Sequence, residues 1–134
     1  MPQDYAEAVA WYRKAAEQGN ADAQYNLGAV YTGGQGVPPD AAQAAAWFRK
    51  AAEQGEPNAQ FYLGIALANG QGVPRDYVEA HKWVNLAATR AAAEKRDEYA
   101  QARDEMAKAM TPAQVAQAQA RAREWLAAFE RVPR

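Results

Sequence analysis

The sequence predicts an all-α solenoid, and three observations carry that prediction. A block of 36 residues occurs twice almost unchanged and a third time in altered form. Of the 134 residues, 35 are Ala, the best helix former, and β-branched residues are few. Gly and Pro gather in short stretches that stop the second helix of each early block. Fixed spacing over three copies means stacked units that bury their apolar faces on one another, rather than one globular core.

Each copy reads as helix, tight turn, helix, Gly-rich loop. Asp4, Asp40 and Asp76 stand at N-cap positions, and Glu7, Gln43 and Glu79 three residues on complete a capping box in each copy. The first helices end at Gly19 and Gly55, where left-handed backbone is cheap only for Gly. Short turns follow, Asn20-Ala-Asp and Glu56-Pro57-Asn58. Second helices then run to about Thr32 and Ala68 and carry Ala23-Gln24-Tyr-Asn-Leu27-Gly28 and Ala59-Gln60-Phe-Tyr-Leu63-Gly64. Loops 33–39 and 70–75 stop them, because Gly and Pro oppose helix.

The third copy departs from the pattern. Ala102-Arg-Asp-Glu-Met106 matches Ala59-Gln-Phe-Tyr-Leu63, which places Met106 43 residues after Leu63, an insertion of seven. Seven residues are about two helical turns and preserve the facing side. The expectation is one extra turn on each helix of that pair, with the bend near Glu94–Arg96. Thr111-Pro112-Ala-Gln114 opens a last helix with a cap, a first-position Pro and a capping box. Val115, Ala118, Ala122, Trp125 and Phe129 form its apolar stripe with Leu126 beside it, while Gln117, Gln119, Arg121 and Arg123 face water. Repeats thus occupy 1–110, in units near 4–39, 40–75 and 76–110, and a capping helix and tail occupy 111–134. That makes seven helices: about two and a half repeats plus a C-terminal cap.

These residues resemble the Sel-one-like repeat family, a branch of the tetratricopeptide superfamily. The family pattern is met by Asp40, Ala44, Trp47, Lys50-Ala51-Ala52, Gly55, Ala59-Gln60, Leu63-Gly64 and Gly70-Gln71-Gly72-Val73-Pro74. The match covers 2–88 strongly and 98–130 more loosely. The resemblance implies antiparallel helix pairs wound into a right-handed superhelix, used as a scaffold or adaptor. Most known members are bacterial, often periplasmic or secreted. For this chain the compartment stays open: periplasmic or secreted if a signal peptide lies upstream, cytoplasmic otherwise.

Met1-Pro2-Gln3-Asp4 aligns with Val37-Pro38-Pro39-Asp40 and Val73-Pro74-Arg75-Asp76, so the sequence opens inside a loop. The expectation is the C-terminal piece of a longer array, or an unusual start codon. Tyr5, Ala8 and Tyr12 then lie on an uncovered apolar edge that favours self-association.

The chain has no Cys and no Ser, which removes the usual acyl-transfer nucleophiles. His81 is the only His, too few for a His-rich zinc site, and reads as an ordinary helix-surface or interhelix residue. Asp104 four residues before Lys108 reads as a solvated helix pair rather than an acid/base couple. Gly34-Gln-Gly36 and Gly70-Gln-Gly72 lack the preceding strand and third Gly of a phosphate loop. No catalytic residue, metal site or cofactor is expected. Residues 1–72 carry a net charge of −3 and residues 73–134 of +2, which excludes a basic nucleic-acid surface. No stretch is long and apolar enough to span a membrane. Trp11, Trp47 and Trp83, 36 residues apart, read as interhelix packing rather than a ligand ladder.

Binding is the expected function. In arrays of this kind the second helix lines the concave face, and its positions not needed for packing differ between copies. Tyr25, Asn26, Ala29 and Thr32 become Phe61, Tyr62, Ile65 and Ala68, and the third copy places Asp104, Glu105 and Lys108 there. The expected groove, built from Tyr25, Asn26, Ala29, Phe61, Tyr62, Ile65, Asp104 and Lys108, is aromatic in the middle and charged toward its C-terminal end. It suits a peptide or helix of a protein partner with apolar anchors and a basic or mixed end. Two other functions stay open: a hydrolase or regulator of a cell-wall or secreted enzyme, and a structural segment whose groove is filled by neighbouring repeats.

Overall fold

A computed structural model describes residues 4–133, and the alignment of Met1–Gln3 with the loops lies outside them. Seven helices follow in order: α1 (Tyr5–Glu17), α2 (Ala21–Gly33), α3 (Ala41–Glu53), α4 (Pro57–Asn69), α5 (Tyr77–Arg90), α6 (Ala93–Ala107) and α7 (Pro112–Arg131). There is no strand among the described residues. First helices begin at 5, 41 and 77, and second helices at 21, 57 and 93, so the 36-residue step holds for both.

The caps form as the sequence predicts, except for their return arm. The carboxylates of Asp4, Asp40 and Asp76 accept from the backbone N–H of Glu7, Gln43 and Glu79 at 3.0–3.1 Å. Among the described residues only Thr111–Gln114 closes the reciprocal box. At Glu79 the reason is visible. Its carboxylate accepts instead from Lys82 at 3.3 Å and Arg121 at 2.7 Å, charge-assisted bonds that outcompete a neutral backbone donor.

Repeated residues tie the layers together. Leu27 and Leu63 are fully buried, and Tyr99, a further 36 residues on, is 2% exposed. The buried Gln24 and Gln60 each donate through Nε2 to a first-helix carbonyl, Ala16 and Ala52, at 3.1 Å. Gln54 and Arg90 donate to the carbonyls of Gly19 and Gly55 in the preceding repeat. Gly28 and Gly64 let α3 and α5 close in: a Cβ there would lie 2.5 Å from the Phe48 ring and 2.4 Å from a Val84 methyl. Gly72 sits at φ +75° with its Cα against the start of α3, where a Cβ would meet the Ala41 carbonyl oxygen at 2.2 Å. Only Gly suits that backbone and that approach.

The third copy corrects the sequence reading. α5 has 14 residues and α6 has 15, against 13 in each earlier helix, so neither gains a full turn. The break falls at Ala91–Ala92 rather than Glu94–Arg96. Tyr99, not Met106, takes the place of Leu63. The Ala102–Met106 match in residue type was misleading, because packing phase is set by what is buried beneath. The added residues extend the far end of α6, and four residues, 108–111, replace the seven-residue loops 34–40 and 70–76. α7 therefore starts 35 residues after α5 and packs on it as a fourth first helix.

α7 covers the end of the stack with the expected stripe. Ala118 and Ala122 are buried, and Val115, Trp125, Leu126 and Phe129 are half-buried. The Trp125 ring meets Trp83 edge-on at 5.6 Å and stacks on Phe129 at 4.8 Å, while the Arg90 guanidinium lies 4.8 Å from the Phe129 ring. Arg121 differs from expectation: it reaches Glu79 rather than facing water alone.

Candidate protein-binding groove

The 36-residue step defines the columns on the second-helix face. Tyr25, Phe61 and Asp97 occupy one position; Asn26, Tyr62 and Glu98 the next; then Ala29, Ile65 and Gln101; then Thr32, Ala68 and Asp104. An unbroken series of rings crosses it. Tyr25 lies 5.9 Å from Phe48 and 6.1 Å from Tyr62, and Phe48 stacks with Tyr62 at 5.6 Å. Tyr62 meets Phe61 edge-on at 5.3 Å, and Phe61 stacks on Tyr99 at 4.1 Å. The Tyr99 hydroxyl donates to Asn58 Oδ1 at 2.6 Å, which joins α6 to α4.

The rings divide the work. Tyr62 is 44% exposed and Phe61 only 9%. Tyr62 is therefore presented on the face, while Phe61 fills the gap between α4 and α6. Burial pushes the Tyr99 phenol up to about 12, helped by Tyr62, Tyr25, Glu98 and Glu56. Burial also raises Tyr25, with Tyr62 and Glu56 adding to it. Both hydroxyls are held protonated, and that of Tyr99 donates to Asn58. Burial raises Glu56 as well, against the N–H bonds of Ala59 and Asn58, since its carboxylate caps α4.

A pocket of about 320 Å³ opens beside Tyr62. Ala41, Ala44, Ala45 and Phe48 of α3 line it together with Tyr62 and Ile65 of α4. Thr32, Asp40 and Gln71 stand at its polar edge. Its origin is a difference between copies. Where α3 has Ala41, the first and third copies have Tyr5 and Tyr77; where it has Ala45, they have Val9 and His81. Two truncated side chains, one turn apart on one helix face, leave the space. The sequence signal for it is the alanine run before Trp47.

Of the residues singled out by sequence, Tyr25, Asn26, Ala29, Tyr62 and Ile65 come together on one surface, and Phe61 supports it from below. Asp104 lies on the same face, exposed and bonded by Arg103 at 3.1 Å, not by Lys108. Lys108 is the C-cap of α6, paired with Glu105 at 2.9 Å and set beyond the column. The third copy instead brings the exposed Asp97, Glu98 and Gln101 into the groove positions, because α6 keeps the 36-residue step and no seven-residue insertion precedes it. His81 is buried, not on the surface, and its Nδ1 has no partner. Among the described residues no cluster of three or more His, Asp or Glu is placed to hold a metal ion. No helix among them is long and apolar enough to cross a membrane.

The edge at α1 is also uncovered, at Tyr5 as expected and above all at Trp11, which does not serve as interhelix packing in this copy. Trp11 is 65% exposed, while its counterparts Trp47 and Trp83 are 8% and 2% exposed. Tyr5 is exposed as well, but Tyr12 packs against the core.

A stack of antiparallel helix pairs with an exposed second-helix face defines an α/α repeat superhelix. The Sel1 repeat pattern matches residues 1–20, 21–56 and 57–91, and the chain belongs to the Sel1 repeat family. It is similar to the crystal structure of c5321, a protective antigen of uropathogenic Escherichia coli strains with an SLR fold. The TM-score is 0.84 at 40% identity, over 92% of this chain and 26% of that one. It is also similar to a Sel1 repeat protein from Oxalobacter formigenes, with TM-score 0.66 and 40% identity over 68% of this chain and 37% of that one. The chain thus spans well under half the length of either. Comparison with curated proteins gives no match. Sel1 repeat proteins are in general non-catalytic scaffolds for protein interactions.

Proposed function

We propose that this chain is a non-catalytic adaptor that binds a peptide or helix of a protein partner on its second-helix face. The observation that carries this is Tyr62, held 44% exposed by ring contacts beside an apolar pocket. A large aromatic left at the surface by a rigid frame is the usual anchor of a binding hot spot. The frame is preformed, so little ordering entropy is lost on binding. The test is selection of a phage-displayed random peptide library on the immobilised protein. Peptides that bind the wild type and lose at least tenfold in affinity on Tyr62→Ala and Ile65→Ala support the groove. Peptides indifferent to both substitutions contradict it.

A second reading rests on Trp11. The uncovered face of α1, with Glu7, Ala10, Trp11 and Lys14, forms a shallow hollow of about 220 Å³. It supports self-association or stacking against a further repeat. Sedimentation velocity tests it: a concentration-dependent dimer that Trp11→Glu dissolves supports self-association, and a monomer at all concentrations removes it.

A further inference from the structure

We infer that the groove recognises an aromatic side chain followed, toward α6, by basic residues; this rests on the groove reading above. The pocket supplies the first half. At about 320 Å³ it lies at the small end of ligand pockets, with room for one large side chain and its flanking backbone. Its lining combines alanines of α3 with Phe48, Tyr62 and Ile65, surfaces that favour an aromatic ring. The chain itself places tyrosine at this repeat position elsewhere, as Tyr5 and Tyr77. A partner's ring would supply what Ala41 lacks, and Asp40, Thr32 and Gln71 at the edge offer polar atoms to a phenol hydroxyl.

The neighbouring repeat supplies the second half by charge. In the first repeat the groove positions Tyr25, Asn26, Ala29 and Thr32 are uncharged, whereas in the third the corresponding Asp97, Glu98 and Asp104 are exposed acids and only Gln101 is neutral. Lys95 reaches Glu98 only at 3.7 Å, with both side chains about half exposed, and Arg103 holds Asp104. Such exposed pairs are weak and leave the acids able to take a partner's cation. The charge step gives the ligand a direction. Neighbouring packed helices lie about 8–10 Å apart. The second helices α4 and α6 meet through the Phe61–Tyr99 stack, so that distance is a minimum, and at roughly 3.3 Å per extended residue the basic residues fall at least about three positions from the ring.

The experiment uses the same peptide library on the wild-type chain and on three variants. Ala41→Tyr fills the pocket with the residue that the first and third copies carry. Ala45→Leu fills it from the same helix and serves if Ala41→Tyr does not fold. Asp97→Lys/Glu98→Lys reverses the charge. The expected result is enrichment of peptides with an aromatic residue and Lys or Arg at least about three positions away. Their binding should fall at least tenfold on either pocket filling, and fall on charge reversal with loss of its salt dependence. Peptides that need Tyr62 but tolerate a filled pocket, or that show no basic preference, overturn this inference and leave the groove reading standing. Selection that enriches nothing, or only peptides indifferent to Tyr62, overturns both.

Discussion

One tryptophan position behaves in opposite ways at the two ends of the stack. Trp11 on α1 is 65% exposed, and Trp83 on α5 is 2% exposed with Trp125 of α7 against it. The local sequence does not decide this: Trp47 is 8% exposed within Ala-Trp-Phe-Arg-Lys-Ala-Ala of α3, which differs at one residue from Ala-Trp-Tyr-Arg-Lys-Ala-Ala of α1. Burial in a solenoid is thus conferred by the neighbouring units, not by the repeat's own residues. The same residue type is core in one copy and a sticky surface in another.

The largest expected effect breaks this contrast directly. Trp83→Ala should cost ~3–5 kcal/mol as a buried aromatic, whereas Trp11→Ala should stay within about 0.5 kcal/mol as a surface change. Urea unfolding of both variants checks it, and equal losses would dissolve the distinction. Glycines give the next contrast. Gly64→Ala forces a Cβ to 2.4 Å from Val84 and 3.0 Å from the Ala80 carbonyl oxygen, and should cost ~1–3 kcal/mol by overpacking. At Gly33, at the end of α2, a Cβ would meet nothing within 4 Å, so Gly33→Ala should be neutral or stabilise by about 0.4–1 kcal/mol.

A smaller effect belongs to His81, whose counterparts are Val9 and Ala45. Burial first, then the charge of Arg103 on α6, hold its imidazole below the ordinary 6.5, with Asp104 pulling the other way. The unfolded chain takes up the proton first. Stability contributed by the neutral ring is therefore complete above the unfolded value and declines as pH falls through 6.5 toward the lowered folded value. Melting temperature should drop between about pH 7.5 and pH 6, and His81→Val should flatten that slope. The smallest effect is at the cap. Arg121→Ala removes the 2.7 Å bond to Glu79, but both groups meet solvent, so the loss should be about 0.2–1 kcal/mol and shrink in high salt.

The frame was legible in sequence because it is made of local, repeated signals. Asp caps, Gly stops and the Pro loops each act within a few residues, and their 36-residue recurrence marks α1 to α5. What sequence matching misjudged depends on contacts across helices. Met106 resembles Leu63 in type, yet Tyr99 is the residue that reaches Phe61 and Asn58 across to α4. The capping box at Glu79 failed because Arg121, 42 residues away, claims the carboxylate. The candidate groove depends on both kinds of signal. Variation along the second helix pointed to Tyr25, Tyr62 and Ile65, but the pocket beside them is made by what α3 lacks. A missing side chain leaves no apolar or charged mark, only a run of alanines that also reads as good helix.

Amide hydrogen exchange, with and without the tightest peptide from the library, tests the groove most directly. Binding there predicts slowed exchange along α4 and α6 and at the start of α3, with α1 and α7 unchanged. Protection centred on α1 around Trp11, with α4 unaffected, would contradict it and make the open end of the stack the binding surface.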